Sequence, residues 1–451
     1  MKGFPLLLLL AGLAVAQASP PAVRFGHDSE GALVASVYSL PSAFFTAEEA
    51  QAFLGAVRQA APERTLLVLA DPAQRRALED PAKRLRLRLL ETRERPYSPW
   101  PRDPFSLVHT AAGGLQVLAR PNAQPGREAD LHLGEELVRA LPEDLSRAWG
   151  GVTWAKAPVP FHNGQILLTP EAAWVTLHSL EPLILGLLGT DRVPVETFST
   201  AAGIDRYLDA ARRAARQWES LYGRPVRFVH PLPEAKGAPL AGRVEAMRSL
   251  GGGAGYDLDS LVTFLPRSGG QLTALVADLS AGRSLLGKLT VADWKSLAEG
   301  YRLRPEGVPA ALRAAQSAEG AAALDGFLDL TAGHLQEQGL EVRRLPLLSV
   351  PVALLADREA FSHGEFLLTW NNVAVETRAG KTRAEGFASL LPTGDAEARK
   401  VFAGVGSRLD LFPPLVRSVI LNGGYRCASN HVREVSAARA AGVVSPRSSP
   451  P

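Results

Sequence analysis

The sequence contains a single cysteine, Cys427, among its 451 residues. One thiol cannot form a disulfide within the chain, which excludes a disulfide-stapled fold. A lone thiol is either a small buried apolar side chain or a reactive group. Composition alone favours the buried interpretation.

Long hydrophobic runs are also absent: no stretch reaches the roughly 18 uninterrupted apolar residues that a membrane helix needs. The N-terminus has Lys2, a shorter apolar run from Phe4 to Ala16, and then the small-x-small pair of Ala16 and Ala18. This pattern predicts a signal peptide over residues 1–18 and a secreted or periplasmic mature chain with no membrane span. An N-terminal membrane anchor is the alternative.

Neither sign of charge dominates, because 49 basic and 46 acidic residues give a net charge of +3. The absence of a basic block argues against a nucleic-acid partner. No His-x3-His or Cys-x2-Cys pair occurs, so neither a metal nor another cofactor is predicted. The glycines near residue 251 lack the Lys-Ser/Thr of a phosphate loop, and the Gly-x-Ser-x-Gly elbow of a serine hydrolase is missing.

What the chain does contain is a recurring unit: an amphipathic helix, a Gly or Pro stop and a short β-rich strand. Four segments follow this order, namely 46–70, 204–230, 324–348 and 395–412. The layout predicts an α/β protein built from several similar modules. No interior linker divides it, so residues 19–437 are expected to form one large domain, followed by a disordered Pro/Ser-rich tail over 438–451.

Four polar stretches interrupt the apolar strands and are candidates for chemistry. They are "WPRDPF" (100–105), "GGGAGYDLDSLVTFLP" (251–266), "LLTWNNVAVE" (367–376) and "VILNGGYRCASNHVRE" (419–434).

The carboxylates in these stretches have two interpretations each. Asp103 precedes a strand and can point into a cleft, or it is a surface ion-pair or turn residue. Asp257 and Asp259 alternate with Leu258, which predicts that they share one face of a strand. Two like charges so close indicate a cation, a metal or a polar substrate, and the alternative is a solvated turn.

The amide and thiol groups add to this pattern. Asn371 and Asn372 lie within a strand-like run and need hydrogen-bond partners if they are buried. Before Cys427, the Gly423-Gly424 pair allows close backbone approach, as a nucleophile site needs if substrate must come near the main chain.

Taken together, these stretches resemble the guanidino-group-modifying enzymes, or penteins, and most closely the peptidyl-arginine and agmatine deiminases. "WPRD", "DLD" after a glycine-rich loop, "TWNNVAVE" and "GGYRCASNHVR" follow the family's order over roughly residues 95–434. The resemblance implies a single-domain, pseudo-symmetric α/β-propeller of five ββαβ-like modules.

The resemblance also implies residue roles. Cys427 would attack the guanidinium carbon, while Asp103 and Asp259 would clamp the guanidinium nitrogens. Such a clamp suits a planar cation with fixed N–H donors. The other implied substrate contacts are Trp100, Arg102, Asn371 and Asn372.

One position departs from the family, because Asp257 stands where a proton-transferring histidine is expected. Asp257 would need a raised pKa to act as a general acid near neutral pH. His162 falls where the family often has an acidic Gly-Gly stretch, and it is the candidate for the missing proton-transferring histidine. The predicted catalytic residues are therefore Cys427, Asp257 and His162. His363 and His431 are further candidates, and His109 is a weaker one.

These features predict a secreted, cysteine-dependent hydrolase that converts the guanidino group of an arginine-containing peptide or a small arginine derivative to a ureido group. The missing histidine motivates an alternative, a guanidinium-binding protein that no longer turns substrate over. Amidino transfer on the same scaffold is the third possibility.

Overall fold

The computed structural model describes residues 23–434, except 94, 96, 125, 194, 235–236, 252–255, 268–269, 318 and 358–363. The predicted signal peptide, the Pro/Ser-rich tail, most of the glycine run and His363 therefore lie outside the described residues. Within the described part of the chain, no helix is long and apolar enough to cross a membrane.

The structure is mixed α/β, with 18 strands and 15 α-helices in the described residues. The strands are β1 (Val23–Arg24), β2 (Leu33–Ser39), β3 (Thr65–Ala70), β4 (Arg88–Glu91), β5 (Phe105–Thr110), β6 (Leu115–Ala119), β7 (Val152–Lys156), β8 (Ile166–Leu168), β9 (Ala173–Val175), β10 (Val226–Phe228), β11 (Val262–Pro266), β12 (Leu272–Asp278), β13 (Glu341–Pro351), β14 (Glu365–Thr369), β15 (Ala374–Arg378), β16 (Lys381–Phe387), β17 (Ser407–Phe412) and β18 (Ser429–Arg433). The helices are α1 (Ala47–Ala60), α2 (Pro72–Ala77), α3 (Glu79–Leu85), α4 (Leu133–Ala140), α5 (Glu143–Ala148), α6 (Glu181–Leu188), α7 (Ala201–Tyr222), α8 (Leu240–Gly251), α9 (Leu258–Leu261), α10 (Leu279–Leu286), α11 (Val291–Tyr301), α12 (Val308–Ala315), α13 (Glu319–Glu337), α14 (Pro392–Gly404) and α15 (Val416–Ile420).

The described strands form five separate small sheets. Their strand orders are β1-β5-β6-β7, β10-β9-β8, β11-β12-β13-β14, β15-β16-β17 and β18-β2-β3-β4.

All five sheets contain the same three-strand pattern, in which a central strand pairs antiparallel on one side and parallel on the other. The antiparallel pairs are β5·β6, β8·β9, β11·β12, β15·β16 and β18·β2. The parallel pairs are β6·β7, β9·β10, β12·β13, β16·β17 and β2·β3. Each parallel pair is joined by one or more helices, as a parallel connection requires.

The last of these sheets joins the two ends of the described chain. Ser429 of β18 lies opposite Tyr38 of β2, although the two residues are far apart in sequence. The residues just before β18 are thereby fixed against the start of the chain, and Cys427 is one of them.

The predicted helix-strand units are confirmed by the structure. For example, α7 follows the helical period from Ile204 to Tyr222 and ends at Gly223, whose φ of 66° is in the left-handed region that favours glycine. A capping box at the start of α1 is only half formed. Thr46 accepts from the Glu49 backbone N–H, but the Glu49 carboxylate accepts from the backbone N–H of Val416 instead.

Two local expectations were wrong. Asp257 and Asp259 do not alternate along a strand: Asp257 is the extended N-cap residue of the short helix α9, and Asp259 lies within that helix. The predicted strand through Trp370-Asn371-Asn372 is interrupted, because β14 ends at Thr369 and β15 begins at Ala374. Both polar stretches therefore lie at junctions, where side chains are not bound to the alternation of a sheet.

A buried ion pair connects two of the sheets. Arg64, just before β3, donates from both Nη atoms to Glu385 on β16, with N–O distances of 2.6 and 2.9 Å. The Tyr425 hydroxyl donates to the same carboxylate at 2.8 Å. These side chains are almost fully enclosed, so each charge depends on the other for compensation.

We predict that Glu385→Gln lowers the free energy of unfolding by about 3 kcal/mol, because it leaves the buried Arg64 guanidinium poorly compensated. Denaturant unfolding would measure the change. The matched control is Glu91→Gln, which removes a half-exposed pair with Arg75 and should cost less than about 1 kcal/mol. Equal losses of unfolding free energy in the two variants would show that the buried Arg64–Glu385 pair contributes no more to stability than an exposed pair.

Candidate active site

One polar side chain from each of the five sheets lies at the entrance to the first strand of the three-strand pattern. Asp103, Asn163, Asp259, Asn372 and Cys427 precede β5, β8, β11, β15 and β18, respectively, by two or three residues. Hydrogen bonds and close contacts link these positions or their sequence neighbours. The shared pattern of the sheets therefore brings together residues that lie more than 300 positions apart in sequence.

Cys427 lies at the centre of this cluster and is buried. Its Sγ is 3.9 Å from Asp257 Oδ2 and 3.8 Å from each carboxylate oxygen of Asp259. Asn372 Nδ2 donates to Sγ at 3.2 Å. The structure thus brings together Cys427, Asp257, Asp259 and Asn372, four residues that the sequence analysis singled out.

The surroundings of Cys427 favour the neutral thiol. Burial raises the pKa of Cys427 well above its ordinary value, and the charges of Asp259, Asp257 and Asp103 raise it further. The hydrogen bond from Asn372 opposes this effect. A cation placed among the carboxylates would lower the thiol pKa, because it cancels the charges that raise it.

The Gly423-Gly424 pair serves tight packing beside the thiol. A Cβ on Gly423 would lie 1.8 Å from the indole nitrogen of Trp100, and a Cβ on Gly424 would lie 2.5 Å from the Cβ of Asn372. Asn372 Oδ1 accepts from the backbone N–H groups of Arg426 and Cys427 at 2.8 and 3.2 Å. Because both positions lack a side chain, Trp100 and Asn372 pack directly against the loop that carries the thiol, and Asn372 hydrogen-bonds to its backbone.

Asp259 is fully enclosed, and each of its oxygens accepts a hydrogen bond. Oδ1 accepts from Asn372 Nδ2 at 2.7 Å, and Oδ2 accepts from Arg426 Nη1 at 2.6 Å. Burial raises the pKa of Asp259 to about 7, while Arg426 opposes the rise and Asp257 adds to it.

Arg426 is itself held from several sides. Its Nη2 donates to both oxygens of Asp28, at 2.9 and 3.0 Å, and to the Ile166 carbonyl at 3.0 Å. Its Nη1 also donates to the Asn163 carbonyl at 3.2 Å. The guanidinium is therefore fixed by three segments of the chain, at Asp28, residues 163–166 and Asp259.

Asp103 carries a charge that is only partly compensated. Arg127 Nη1 donates to its Oδ2 at 2.7 Å, and His162 Nε2 lies 3.7 Å from the same oxygen. Its Oδ1 is buried without a hydrogen-bond partner. Burial acts to raise the pKa of Asp103, but His162 and Arg127 outweigh it, so the pKa is lowered and the carboxylate stays charged.

Asp257 lies between Cys427 and a histidine. Its Oδ1 accepts from Gln165 Nε2 at 2.7 Å and lies 3.7 Å from His162 Nδ1. Among the described residues, His162 is the only basic side chain in ion contact with Asp257. Burial raises the pKa of Asp257, with His162 opposing and Asp103 reinforcing the rise. A Cβ on Gly164 would lie 2.5 Å from Asp257 Oδ2, so only glycine leaves room for this carboxylate.

A cleft of about 1220 Å³, open to solvent, reaches the outer side of this cluster. The residues that line it include His162, Gln165, Asp257, Phe161, Arg120 and Glu181. Asp257 both lines the cleft and contacts Sγ, so the cleft comes within one side chain of the thiol.

The other predicted residues lie near the cluster but have different partners. Arg102 donates to Asp28 at 2.9 Å, and Trp100 donates to Ser418 Oγ at 3.0 Å while Arg127 stacks over its ring. Asn371 donates to the Leu261 carbonyl at 3.1 Å, which fixes α9 rather than facing the thiol. The resemblance had implied substrate contacts for all three, and these contacts remain predictions.

Two of the alternative histidines have structural partners. His431 is buried between the hydroxyl groups of Ser36 and Ser429, both at 2.9 Å, and burial lowers its pKa well below the ordinary value. His109 lies on β5, opposite Arg24 of β1. Of the histidines that the sequence singled out and the structure describes, His162 alone lies in ion contact with both Asp103 and Asp257.

Several site residues were missed by sequence reasoning, namely Asp28, Arg127, Asn163, Gln165 and Arg426. Asn163 had a usable signal, because it stands before a strand just as Asp103 and Asp259 do. Arg426 is adjacent to the cysteine and was passed over. Asp28 and Arg127 lie in unremarkable turns, and only the fold brings them to the site.

Three side chains of this cluster could also hold a metal ion. Asp103, Asp257 and Cys427 each present a ligand atom, and these atoms lie within 4.8 Å of one another. A thiol and two carboxylates form a mixed soft and hard set of ligands, which does not select one metal strongly.

Comparison with known proteins gives a likeness of fold. No family model matches the chain, and no curated protein matches its sequence. An X-ray structure of a protein assigned as an agmatine deiminase superposes with a TM-score of 0.53 at 11% identity, covering 91% of this chain and 95% of that one. The agmatine deiminase of Enterococcus faecalis gives a TM-score of 0.49 at 10% identity, covering 92% and 96%. The first of these likenesses confirms the predicted resemblance at the level of the fold.

We predict that Asp257→Asn increases the rate at which iodoacetamide modifies Cys427 and moves its pH dependence to lower pH. Removal of a negative charge next to Sγ lowers the thiol pKa, so that more thiolate is present at a given pH. Intact mass measurement over a pH series would follow the reaction, and the single cysteine makes the product unambiguous. Glu91→Gln, far from the thiol, should leave the profile unchanged. An unaltered profile in Asp257→Asn would show that its charge does not act on the thiol.

Proposed function

We propose that the chain is a cysteine-dependent hydrolase that converts a guanidino group to a ureido group and releases ammonia. The observation that carries the proposal is the contact series Cys427–Asp257–His162, with Sγ 3.9 Å from Asp257 and Asp257 3.7 Å from His162. Nucleophilic catalysis needs a group that takes the thiol proton and a second group that holds or passes it. This series offers both.

The first half-reaction begins when the substrate guanidinium enters among the carboxylates and lowers the thiol pKa. Asp257 takes the proton from Cys427, and Sγ bonds to the guanidinium carbon. The bond from that carbon to one terminal nitrogen then breaks, and the proton returned through Asp257 or His162 lets that nitrogen leave as ammonia. The enzyme then holds a positively charged thiouronium on Cys427.

The second half-reaction consumes one water. His162 takes a proton as the water oxygen bonds to the same carbon, and the C–S bond breaks to regenerate Cys427. The products are the ureido compound and ammonia, which takes up the remaining proton as ammonium. Atoms and charge balance with water as the only co-reactant.

The strand pairing of the sheets supports a more specific proposal about the fold. We infer that the five sheets are the five modules of a pseudo-symmetric propeller, since each has the same pairing pattern and each supplies one polar side chain before its first strand. A single domain over residues 19–437 and an exported mature chain belong to the same proposal and rest on the sequence.

The substrate we propose is a small guanidino compound. The similar X-ray structure is assigned as an agmatine deiminase, and the cleft is lined by the Asp257 carboxylate, a group that suits a guanidinium. Glu181, on the cleft wall, could meet a second cationic group of such a compound. An arginine-containing peptide is the second substrate class to test.

We predict that Cys427→Ala abolishes ammonia release from a panel of agmatine, free arginine and arginine peptides. His162→Asn should reduce kcat by roughly 10²–10⁴-fold, as expected for loss of a proton-transfer group. His132→Asn, which alters a half-exposed histidine away from the site, is the control and should retain full activity. Undiminished turnover in Cys427→Ala would exclude the thiol mechanism.

We also predict a pH profile set by Asp257. This carboxylate must be charged to accept the thiol proton, and its pKa is raised, so kcat/KM should fall with decreasing pH at a point above the ordinary aspartate value of about 4. Asp103→Asn removes a charge that raises the pKa of Asp257, so this acid limb should move to lower pH even if the rate is smaller. A shift to higher pH would contradict the assignment.

Binding without turnover is the second candidate, and one observation favours it. The thiol is buried among carboxylates that keep it protonated, and its neighbour is an aspartate rather than the histidine of the family. In that case, agmatine would bind to the wild-type protein, as measured by calorimetry, with no ammonia released over hours. Ammonia release at any saturable rate would decide in favour of the hydrolase.

A further inference from the structure

We infer that Arg426 is an internal guanidinium that permanently occupies Asp259, so that the substrate guanidinium is bound by Asp103 and Asp257 instead. The inference rests on the proposed function and identifies its binding subsite. It differs from the clamp of Asp103 and Asp259 that the family resemblance implies.

Both carboxylate oxygens of Asp259 already accept hydrogen bonds from the protein. Its Oδ2 is bound by Arg426 Nη1 at 2.6 Å and its Oδ1 by Asn372 Nδ2 at 2.7 Å. The carboxylate is fully enclosed, so a ligand could replace neither donor without a rearrangement. A substrate clamp needs an oxygen that faces the ligand.

Arg426 is held in place by partners other than Asp259. Its guanidinium also binds both oxygens of Asp28 and the carbonyls of Asn163 and Ile166. Separation from Asp259 would leave a buried charge without its partner, which is costly. Arg426 therefore cannot act as a movable stand-in that a substrate displaces.

Asp103 and Asp257, the other two carboxylates near the thiol, have fewer partners than Asp259. Asp103 Oδ1 is buried without a hydrogen-bond partner, and Asp257 Oδ2 faces Sγ at 3.9 Å. The only ion contacts of Asp257 among the described residues are with His162, at 3.7 Å. Asp103, Asp257 and Cys427 present atoms within 4.8 Å of one another. A planar cation placed among these three residues would contact two carboxylates and the attacking sulfur together.

The role of Arg426 is then to position the site. By compensating Asp259, it lets that carboxylate stay next to the thiol loop without competing for the substrate. Because Arg426 directly precedes Cys427, the same ion pair fixes the backbone from which the thiol extends.

Agmatine binding to variants in a Cys427→Ala background, measured by calorimetry, tests the inference without turnover. Asp103→Asn and Asp257→Asn should each weaken binding by about tenfold or more, because each removes a charge-assisted contact. The double variant Asp259→Asn/Arg426→Met removes one negative and one positive charge together. It should retain agmatine affinity within about threefold, as expected for sites that do not couple directly to the ligand.

Thermal unfolding of the same set provides the second readout. Asp259→Asn and Arg426→Met should each lower Tm by about 5 °C or more, while the double variant should recover part of the loss, because the buried Asp259–Arg426 pair is removed as a whole and Asp28 keeps its contact with Arg102 at 2.9 Å. This recovery distinguishes an internal pair from two independent contacts.

Defined outcomes overturn the inference. If Asp259→Asn folds with wild-type Tm and abolishes agmatine binding, Asp259 is a substrate ligand and the inference is wrong. If Asp103→Asn and Asp257→Asn both bind agmatine normally, these two carboxylates do not form the subsite and the inference is also wrong. Failure of the proposed function has a different signature: agmatine binds with the predicted dependence on Asp103 and Asp257, but wild-type protein releases no ammonia.

Discussion

The site depends on the burial of several carboxylates around one thiol. Asp28, Asp103, Asp257 and Asp259 lie within a few ångströms of cations or of Sγ, and their repulsion must be offset if the chain is to fold. Arg426 and Arg127 offset Asp259, Asp28 and Asp103 at distances between 2.6 and 2.9 Å. Asp257 has only the looser contact with His162. The charge balance is therefore incomplete on the side that faces the cleft, where a cationic ligand would complete it.

The same balance explains how a buried thiol could react. With the carboxylates charged and no ligand bound, the pKa of Cys427 is high and the sulfur is a poor nucleophile. In the proposed mechanism, a guanidinium that enters the cluster would offset these negative charges and so release the thiolate only when substrate is present.

Sequence reasoning identified most of the parts of the site but not how they are connected. Cys427, Asp103, Asp257, Asp259, Asn372 and His162 were all singled out, since polar groups that interrupt apolar strands are conspicuous. Their placement was less well predicted. Asp257 and Asp259 were assigned to a strand because they alternate with a leucine, but a four-residue helix turns there and carries Asp259 towards Arg426. Periodicity over three residues is too short to distinguish these geometries.

The amino-acid sequence by itself determined the helix-strand units and the single thiol, because local periodicity, helix stops and composition suffice for these. Only the tertiary structure decided which charges meet. Arg426 and Asp28 are separated by almost 400 residues, and no local pattern encodes a contact over that distance. It forms because β18 pairs with β2, which brings the thiol loop of the C-terminal region against the N-terminal strand. That pairing leaves Asp259 with an internal partner and Asp257 facing the cleft.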